Sequence, residues 1–321
     1  MTNFRRVVLD RAVNVLSLFD GCSMGRVALE KAGIPVNQYY ASEIDKYAIQ
    51  ISRKNYPDII HVGDVEYVGK KKDSPNFDLL IGGSPCQGFS FASKDRLNFD
   101  DPRSKLFFEY VRILKEFKPK YFLLENVRMK KEHQDIISQH LGVEPIAINS
   151  SLVSAQNRIR LYWTNIPFDM PYYKGIVLKD ILEKENPSFK YYKLKEYYNG
   201  KIYNKDGCHQ VGEADIKGYD IIKRVYGVHG KSPALTTMQG GHREPKITCP
   251  DKIHWRKLTP LEMERLQTLP DNYTEGVSNT QRKKMIGNGF TVVVVAHILK
   301  SILIVNDDNT FDDYHNWGMH G

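Results

Sequence analysis

The chain has 321 residues, 41% of them hydrophobic and 26% charged, which suits one full-sized core with a smaller second module. It has no apolar run near the about 20 residues that span a bilayer, no secretion signal at its start and no paired CxxC spacing, so we expect an intracellular protein without membrane segments, disulfides or a metal site. A net charge of +8 favours a polyanionic partner, although charge alone is weak evidence because many basic proteins never bind nucleic acid.

From residue 14 to residue 164, short β-branched and aliphatic runs alternate with amphipathic stretches. The predicted strands span residues 15–19, 39–43, 79–82, 121–124, 146–149 and 161–164. The predicted helices between them span residues 26–31, 47–54, 104–117 and 134–140. This alternation predicts a doubly wound α/β domain with a mostly parallel sheet.

The composition changes after residue 167. Residues 172–203 are dense in Tyr and Lys, and residues 206–250 are rich in Gly, His and turn residues, which predicts a smaller separate module. The polar residues 306–321 predict a flexible tail.

Helical patterning returns at residues 259–268, where Thr259 can cap a helix and Pro260 suits its first turn. A further helical stretch is predicted from residue 280 onward. Within it, the four valines at 292–295 favour a strand by their intrinsic propensity.

The first predicted strand leads into a turn of small residues at 19–25. Such a turn lets a ligand approach backbone N–H groups and a helix N-terminus, which is typical of a nucleotide pocket, although a purely structural turn fits equally well. The same residues match G-x-S-x-G, the nucleophile elbow of α/β-hydrolases, with Ser23 as the attacking group. This alternative is disfavoured because only one strand precedes the turn, whereas a hydrolase elbow normally sits deep inside the sheet.

Chemically active side chains follow several predicted strands. Glu43 and Asp64 stand at strand ends, where a carboxylate can accept hydrogen bonds from ribose hydroxyls, although each could equally be a cap or turn residue. Cys86 lies on a loop shaped by glycine and proline directly after an apolar strand, which favours an exposed thiol over the usual buried cysteine. Glu125 follows another strand at the same edge, and a thiol with a nearby acid suits covalent catalysis.

Two arginines complete this group of candidates. Arg158 and Arg160 alternate along an extended segment, so we expect both side chains on one face. Taken in order, the blocks of this chain resemble the DNA cytosine-5 methyltransferases. The matching blocks are residues 19–25, Glu43, Asp64, Pro85-Cys86-Gln87, Glu125-Asn126-Val127, Gln156-x-Arg158-x-Arg160, Arg256-x-Leu258-Thr259-Pro260 and Gly287-Asn288-Gly289.

The resemblance covers nearly the whole chain, and the ordered series is far more specific than any single block. It implies a methyltransferase fold that binds S-adenosyl-L-methionine, with catalytic segments at 1–167 and 255–305 and a target recognition domain inserted at 168–254. It also implies a helix at residues 292–295, against their propensity.

The resemblance implies the following chemistry. Cys86 adds to C6 of a cytosine flipped out of double-stranded DNA, Glu125 bonds N3 and the exocyclic amine, and the methyl group passes from the cofactor to C5. Arg160 contacts O2 of the base, while Arg158 supports the loop or a phosphate.

Cofactor and DNA contacts are also implied by the resemblance. Phe19 stacks on adenine, Glu43 binds the ribose and Asp64 binds the adenine amine. The other residues expected in the cofactor pocket are Asp20, Gly21, Ser23, Ile44, Val65, Pro85 and Asn288. The residues expected at the DNA are Gln87, Ser90, Leu235, Thr236, Thr237, Gln239, His242 and Arg243.

A tRNA cytosine-5 methyltransferase is the main alternative, disfavoured because the Cys-Phe-Thr signature of that branch is missing. We expect a cytoplasmic monomer in a bacterium or a phage-infected host cell. It is expected to be either a solitary enzyme or the modification half of a restriction system, whose restriction endonuclease acts on the same site without binding this chain.

Overall fold

The computed structural model describes residues 7–9, 12–84, 105–184, 189–200, 202–205, 207–238 and 240–304. Its strands are β1 (Val7–Leu9), β2 (Val13–Leu18), β3 (Val36–Ser42), β4 (Ile60–Gly63), β5 (Leu79–Gly82), β6 (Tyr121–Val127), β7 (Ile146–Asn149), β8 (Gln156–Asn157), β9 (Ile159–Thr164), β10 (Tyr192–Tyr197), β11 (Tyr203–Lys205), β12 (Cys208–Ala214), β13 (Arg224–Tyr226), β14 (Ser232–Pro233), β15 (Lys246–Thr248), β16 (His254–Lys257) and β17 (Ile302–Ile304). Its helices are α1 (Met24–Ala32), α2 (Lys46–Asn55), α3 (Lys105–Phe117), α4 (Lys131–Leu141), α5 (Asp220–Lys223), α6 (Pro260–Leu266), α7 (Asn279–Asn288) and α8 (Val292–Leu299). No helix in these ranges combines the length and the apolar character that crossing a membrane requires.

A 7-stranded sheet in the order β4-β3-β2-β5-β6-β9-β7 forms the frame of the molecule. Its strands from β4 to β6 pair in parallel, whereas β9 runs antiparallel to both β6 and β7. The expected mostly parallel α/β sheet is therefore confirmed, and the antiparallel β9 makes it a mixed sheet. Because β2, β3, β5 and β6 are parallel, their carboxyl ends meet at one edge, where ligands of open α/β sheets bind.

Helices cover both faces of this sheet. On one face, Val27 of α1, Ile51 of α2 and Val295 of α8 belong to a buried cluster with Val15 of β2. On the other face, α3 and α4 pack against Leu16 of β2. Successive side chains of β2 point to opposite faces of the sheet, so this apolar strand contributes to the cores on both faces.

Several predicted boundaries change in the folded chain. The strand predicted at 121–124 runs on to Val127 because β9 pairs with it as far as Arg160, so Glu125 lies within β6 and not after it. Residues 292–295 are helical, as the resemblance implied, because α8 buries its valines in the core against α1. No range was predicted for β1, β4, β8, β17 or the strands β10 to β16, although Asp64 was expected at a strand end and does follow β4. The tail at 306–321 lies outside the described residues.

A second sheet is built from residues 192–257 in the order β10-β16-β15-β13-β12-β11. Its small core contains Ala214, Val225 and Trp255, with Tyr192 stacked on Trp255 at a centroid distance of 4.6 Å. The module boundary predicted at residue 254 falls inside β16, because that strand pairs with β10 and β15. The prediction missed this pairing because the partner strands are distant in sequence.

Candidate active site

A cleft of about 710 Å³ opens at the carboxyl ends of β2, β3, β5 and β6. This volume lies within the range of about 300 to 1,000 Å³ that small-molecule sites occupy. The cleft brings together eight of the residues expected at the cofactor, namely Phe19, Asp20, Gly21, Glu43, Ile44, Asp64, Val65 and Asn288. Pro85, also expected there, lies outside the described residues.

The Glu43 carboxylate is fixed by three backbone N–H groups. Gly21 donates to Oε2 at 2.8 Å, while Ile44 and Asp45 each donate to Oε1 at 2.8 Å. Gly21 has φ +60, and a Cβ there would meet no atom within 4 Å, so the turn leaves open space beside the carboxylate. A carboxylate held this way keeps acceptor capacity for the hydroxyl groups of a ligand.

Asp64 and Asn288 approach the cleft from different elements. Asp64 follows β4, and its side chain accepts the N–H of Glu66 at 3.1 Å. Asn288 ends α7 and lines the cleft together with Gly289 and Phe290. Residues from both the first half and the last part of the chain therefore line the cleft.

Asp20 is almost fully buried beneath the turn. It accepts hydrogen bonds from Tyr39 Oη at 2.7 Å and from Ser23 Oγ at 2.5 Å. Burial raises the pKa of Asp20 to about 6, although hydrogen bonds from Ser17, Ser23 and Tyr39 act in the opposite direction.

The structure corrects one prediction about Ser23, its role as a hydrolase nucleophile; the expectation that the backbone around Ser23 lies near the cofactor stays a prediction. The Ser23 side chain is 0% exposed and is bonded to Asp20 and to Ser52, so the hydroxyl faces the interior and does not line the cleft. A nucleophile must reach its substrate, so the hydrolase alternative based on Ser23 is wrong.

The buried Glu125 and the partly buried Arg160 form an ion pair in the same cleft, with Arg160 Nε 3.0 Å from Glu125 Oε1. The pair follows from the β6–β9 pairing, which places the two side chains on neighbouring antiparallel strands. Burial raises the pKa of Glu125 above its ordinary value, and the guanidinium groups of Arg160 and Arg158 only partly offset this. A buried carboxyl with a raised pKa is suited to holding or delivering a proton.

Arg158 is 2% exposed, and its guanidinium donates to three backbone carbonyl groups. The acceptors are Leu235 O at 2.7 Å, Gly287 O at 3.1 Å and Gly289 O at 2.8 Å. The predicted phosphate contact is therefore wrong, because the group is buried and committed to these carbonyls. The other role expected of Arg158, support of a loop, stays a prediction; the contact with Leu235 O was not foreseen.

The predicted recognition loop divides into buried and accessible residues. Thr236, His242 and Arg243 are exposed, and Thr237 lines the cleft. Leu235 is 2% exposed and packs in a core with residues of α6 and α7, so the prediction that its side chain contacts DNA is wrong. The predicted residues Cys86, Gln87, Ser90 and Gln239 lie outside the described residues.

Sequence reasoning missed two polar groups around the cleft. Gln156 of β8 accepts the N–H of Leu235 at 2.8 Å and donates to Gln267 Oε1 at 3.2 Å, which ties the predicted recognition loop to the C-terminus of α6. Lys284 forms an ion pair with Asp45 at 2.6 Å where both line the cleft. Gln156 stood in a quoted block and could have been found, whereas nothing in the sequence pairs Lys284 with Asp45.

Comparison with known proteins decides the family, because the model of the C-5 cytosine-specific DNA methylases matches residues 13–303. The chain belongs to the C-5 cytosine-specific DNA methylase family. The predicted family and enzyme class are thereby confirmed, and this methylase is a DNA (cytosine-5)-methyltransferase.

Relatives of the methylase come from bacteria and their phages. The type II methyltransferase M1.ScrFI of Lactococcus lactis subsp. cremoris is 31% identical, over 94% of this chain and 80% of its own length. The orphan methyltransferase M.SPBetaI of Bacillus phage SPbeta is 28% identical, over 91% of this chain and 97% of its own length. Both comparisons extend across the catalytic sheet and the second sheet of the methylase.

Solved structures share the fold of the methylase. The Entamoeba histolytica methyltransferase EhMeth has a TM-score of 0.68 at 18% identity, covering 91% of this chain and 98% of that one. The S. pombe Dnmt2 methyltransferase has a TM-score of 0.65 at 18% identity, covering 90% of this chain and 98% of that one. At this identity the likeness concerns the fold alone.

Proposed function

We propose that the methylase transfers a methyl group from S-adenosyl-L-methionine to C5 of a cytosine flipped out of double-stranded DNA, with Cys86 as a covalent nucleophile at C6. The observation that carries the proposal is the Glu125–Arg160 ion pair in the same cleft as the Glu43 carboxylate. The cleft thus combines a proton-holding group for the base with acceptors for a nucleoside.

The residues of the cleft fit S-adenosyl-L-methionine. Glu43 offers oxygens to ribose hydroxyls, Asp64 offers an acceptor to the adenine amine, and the Phe19 ring offers a stacking face. The open space beside Gly21 allows the methionine part to approach the backbone. When bound, the cofactor supplies an electrophilic methyl group on its sulfonium.

The side chains of this chain activate the base. The thiolate of Cys86 forms a bond to C6, and the electron pair of the C5–C6 double bond moves to C5, which becomes nucleophilic. Glu125 holds a proton at N3, so the charge that develops on the ring is neutralised where it forms. Arg160 orients Glu125 and donates to O2 of the base. After methylation a base or a water molecule takes the C5 proton, the electron pair of that C–H bond re-forms the C5–C6 double bond, and Cys86 leaves C6 as a thiolate.

The base must leave the helix before Cys86 can act, because C5 and C6 are covered by the neighbouring bases of the stack. Unstacking costs a few kcal/mol, which contacts between protein and DNA must offset. We infer that residues 168–254, which contain most of the second sheet, form the target recognition domain. This is supported by Thr237, which lines the cleft, and by the exposed Thr236, His242 and Arg243 beside it.

The biological setting is proposed from the relatives. A type II methyltransferase and an orphan phage methyltransferase are both among them, so a restriction-modification role and a solitary role each have a precedent. We propose a cytoplasmic monomer in a bacterium or a phage-infected host cell. A partner restriction endonuclease would act on the same DNA site without binding the methylase.

Bisulfite sequencing of unmethylated plasmid DNA tests the proposed function. The purified protein is incubated with the DNA in the presence and absence of S-adenosyl-L-methionine, and Cys86→Ala is treated in parallel. Cofactor-dependent protection of cytosines within one short motif, lost in Cys86→Ala, is the expected result. Protection of tRNA cytosines but of no DNA would favour the tRNA alternative, and full activity of Cys86→Ala would exclude the covalent mechanism.

A further inference from the structure

Adjacent lysines of α7 form ion pairs with partners in different parts of the molecule. Lys284 Nζ lies 2.6 Å from Asp45 Oδ2, at the N-terminus of α2. Lys283 Nζ lies 3.1 Å from Glu244 Oε1, beside the predicted recognition residues His242 and Arg243. Lys284 of α7 therefore forms its ion pair at the cleft, whereas Lys283 of the same helix forms its ion pair at Glu244, next to the predicted recognition residues.

The contact made by Lys284 leads directly to Glu43. Asp45 caps α2, since its Oδ1 accepts the N–H of Tyr47 at 2.9 Å, and its own N–H donates to Glu43 Oε1 at 2.8 Å. Burial alone would raise the pKa of Asp45, but the bonds from Lys284 and from the Tyr47 N–H lower it, so Asp45 is charged at neutral pH. Lys284 therefore fixes Asp45, and Asp45 donates a hydrogen bond to Glu43, the carboxylate expected at the ribose.

The same ion pair joins two elements that line the cleft, the N-terminus of α2 and the helix α7. Asp45 and Lys284 both line it, and the end of α7 contributes Asn288. We propose that Lys284 is a positioning residue for the cofactor, which fixes the α2 N-terminus and, through Asp45, the Glu43 carboxylate. This inference rests on the proposed function, because it takes the cleft to be the site of S-adenosyl-L-methionine.

A purely electrostatic role of Lys284 predicts a different result from a positioning role. The described side chains of the cleft include the carboxylates of Asp20, Glu43 and Asp64, so a lysine there lowers the negative potential that a cation meets. S-adenosylmethionine carries one net positive charge, whereas S-adenosylhomocysteine has none. If Lys284 acts through its charge alone, removing it would change the ratio of the affinities for S-adenosylmethionine and S-adenosylhomocysteine. If Lys284 positions Glu43, removing it weakens the binding of both ligands by the same factor.

Isothermal titration calorimetry without DNA measures both dissociation constants for the wild type, Lys284→Met, Lys284→Arg and Lys283→Met. Lys284→Met is expected to weaken both ligands by the same factor, about threefold to tenfold for a partly exposed ion pair that orders a binding carboxylate. Lys284→Arg is expected to restore most of the affinity. Lys283→Met, the matched control, is expected to leave both constants unchanged because its partner Glu244 does not line the cleft.

A double-mutant cycle tests whether Lys284 acts through Asp45, with the thermal melting temperature of each variant recorded to verify that it is folded. Asp45→Ser keeps a capping side chain on α2 but removes the ion pair, so it should weaken both ligands, and adding Lys284→Met should weaken them no further. Unchanged affinities in Lys284→Met, a changed ratio between the two ligands, or fully additive effects would overturn the inference while leaving the proposed function intact. A wild type that binds neither ligand would contradict the proposed function itself.

Discussion

Gly287 of α7 lies directly against Thr236 of the predicted recognition loop. A Cβ built on Gly287 would stand 1.8 Å from the carbonyl oxygen of Thr236, far inside any allowed contact. Arg158 bonds the carbonyls of Gly287 and of Leu235, so the two backbones are also held together. The predicted recognition loop and the helix α7, which lines the cleft, therefore form one packed unit.

Gly287→Ala should push α7 away from the backbone of Thr236. The extra methyl group meets backbone and not a flexible side chain, so we expect a loss of about 1–3 kcal/mol in the free energy of unfolding, as for other overpacked sites. Urea denaturation measures the loss. The matched control is Gly69→Ala, where a Cβ would meet only Glu116 Oε1 at 3.5 Å, and a loss as large as that of Gly287→Ala would contradict the argument.

Glu125→Gln should reduce methyl transfer far more than it reduces cofactor binding. The amide cannot hold a proton at N3, and general acid–base groups contribute about 10²–10⁴-fold to rate. Single-turnover transfer of a radiolabelled methyl group to DNA measures the effect. Glu144→Gln, at a side chain that is 71% exposed, should keep the wild-type rate, and equal rates in Glu125→Gln would remove Glu125 from the mechanism.

Arg256→Met should be strongly destabilising. Its guanidinium makes two bonds to Glu262, Nη1 to Oε2 at 2.8 Å and Nη2 to Oε1 at 2.6 Å, and Glu262 is 0% exposed. Removing one partner leaves a buried charge unpaired, which costs about 3–5 kcal/mol.

The control for this variant is Arg265→Met. Arg265 pairs with Asp271 at 2.6 Å, but their side chains are 30% and 50% exposed, so we expect a loss of no more than about 1 kcal/mol. Chemical denaturation of both variants gives the two losses. Equal losses would mean that burial does not decide the strength of these pairs.

The buried Asp20 should make stability depend on pH. Its pKa rises from 3.8 to about 6 on folding, so between these values the folded state keeps a proton that the unfolded state has released. The stabilisation is full below pH 3.8 and is lost as the pH rises through about 6. The free energy of unfolding of the wild type, relative to Asp20→Asn, should therefore fall across this window, and a constant difference would refute the prediction.

Local chemistry made much of the fold predictable. Thr259 and Pro260 mark the start of α6 because a side-chain cap and a proline at the first turn act within a few residues, and the capping box with Glu262 is present. The apolar runs of β2 and β5 likewise depend only on neighbouring residues in the chain. Residues 292–295 show the limit, since four valines favour a strand by themselves but form α8 when they are packed against α1.

The sequence by itself determined the family, the reaction class and the position of the candidate residues along the chain, because these depend on residue types in a fixed order. Only the tertiary structure decided that Arg158 is buried beneath the recognition loop and that Ser23 faces the interior. It also decided that Lys284 meets Asp45, although 239 positions separate them in the chain. Contacts of this kind depend on how sheets and helices pack in space, which no local pattern of residues records.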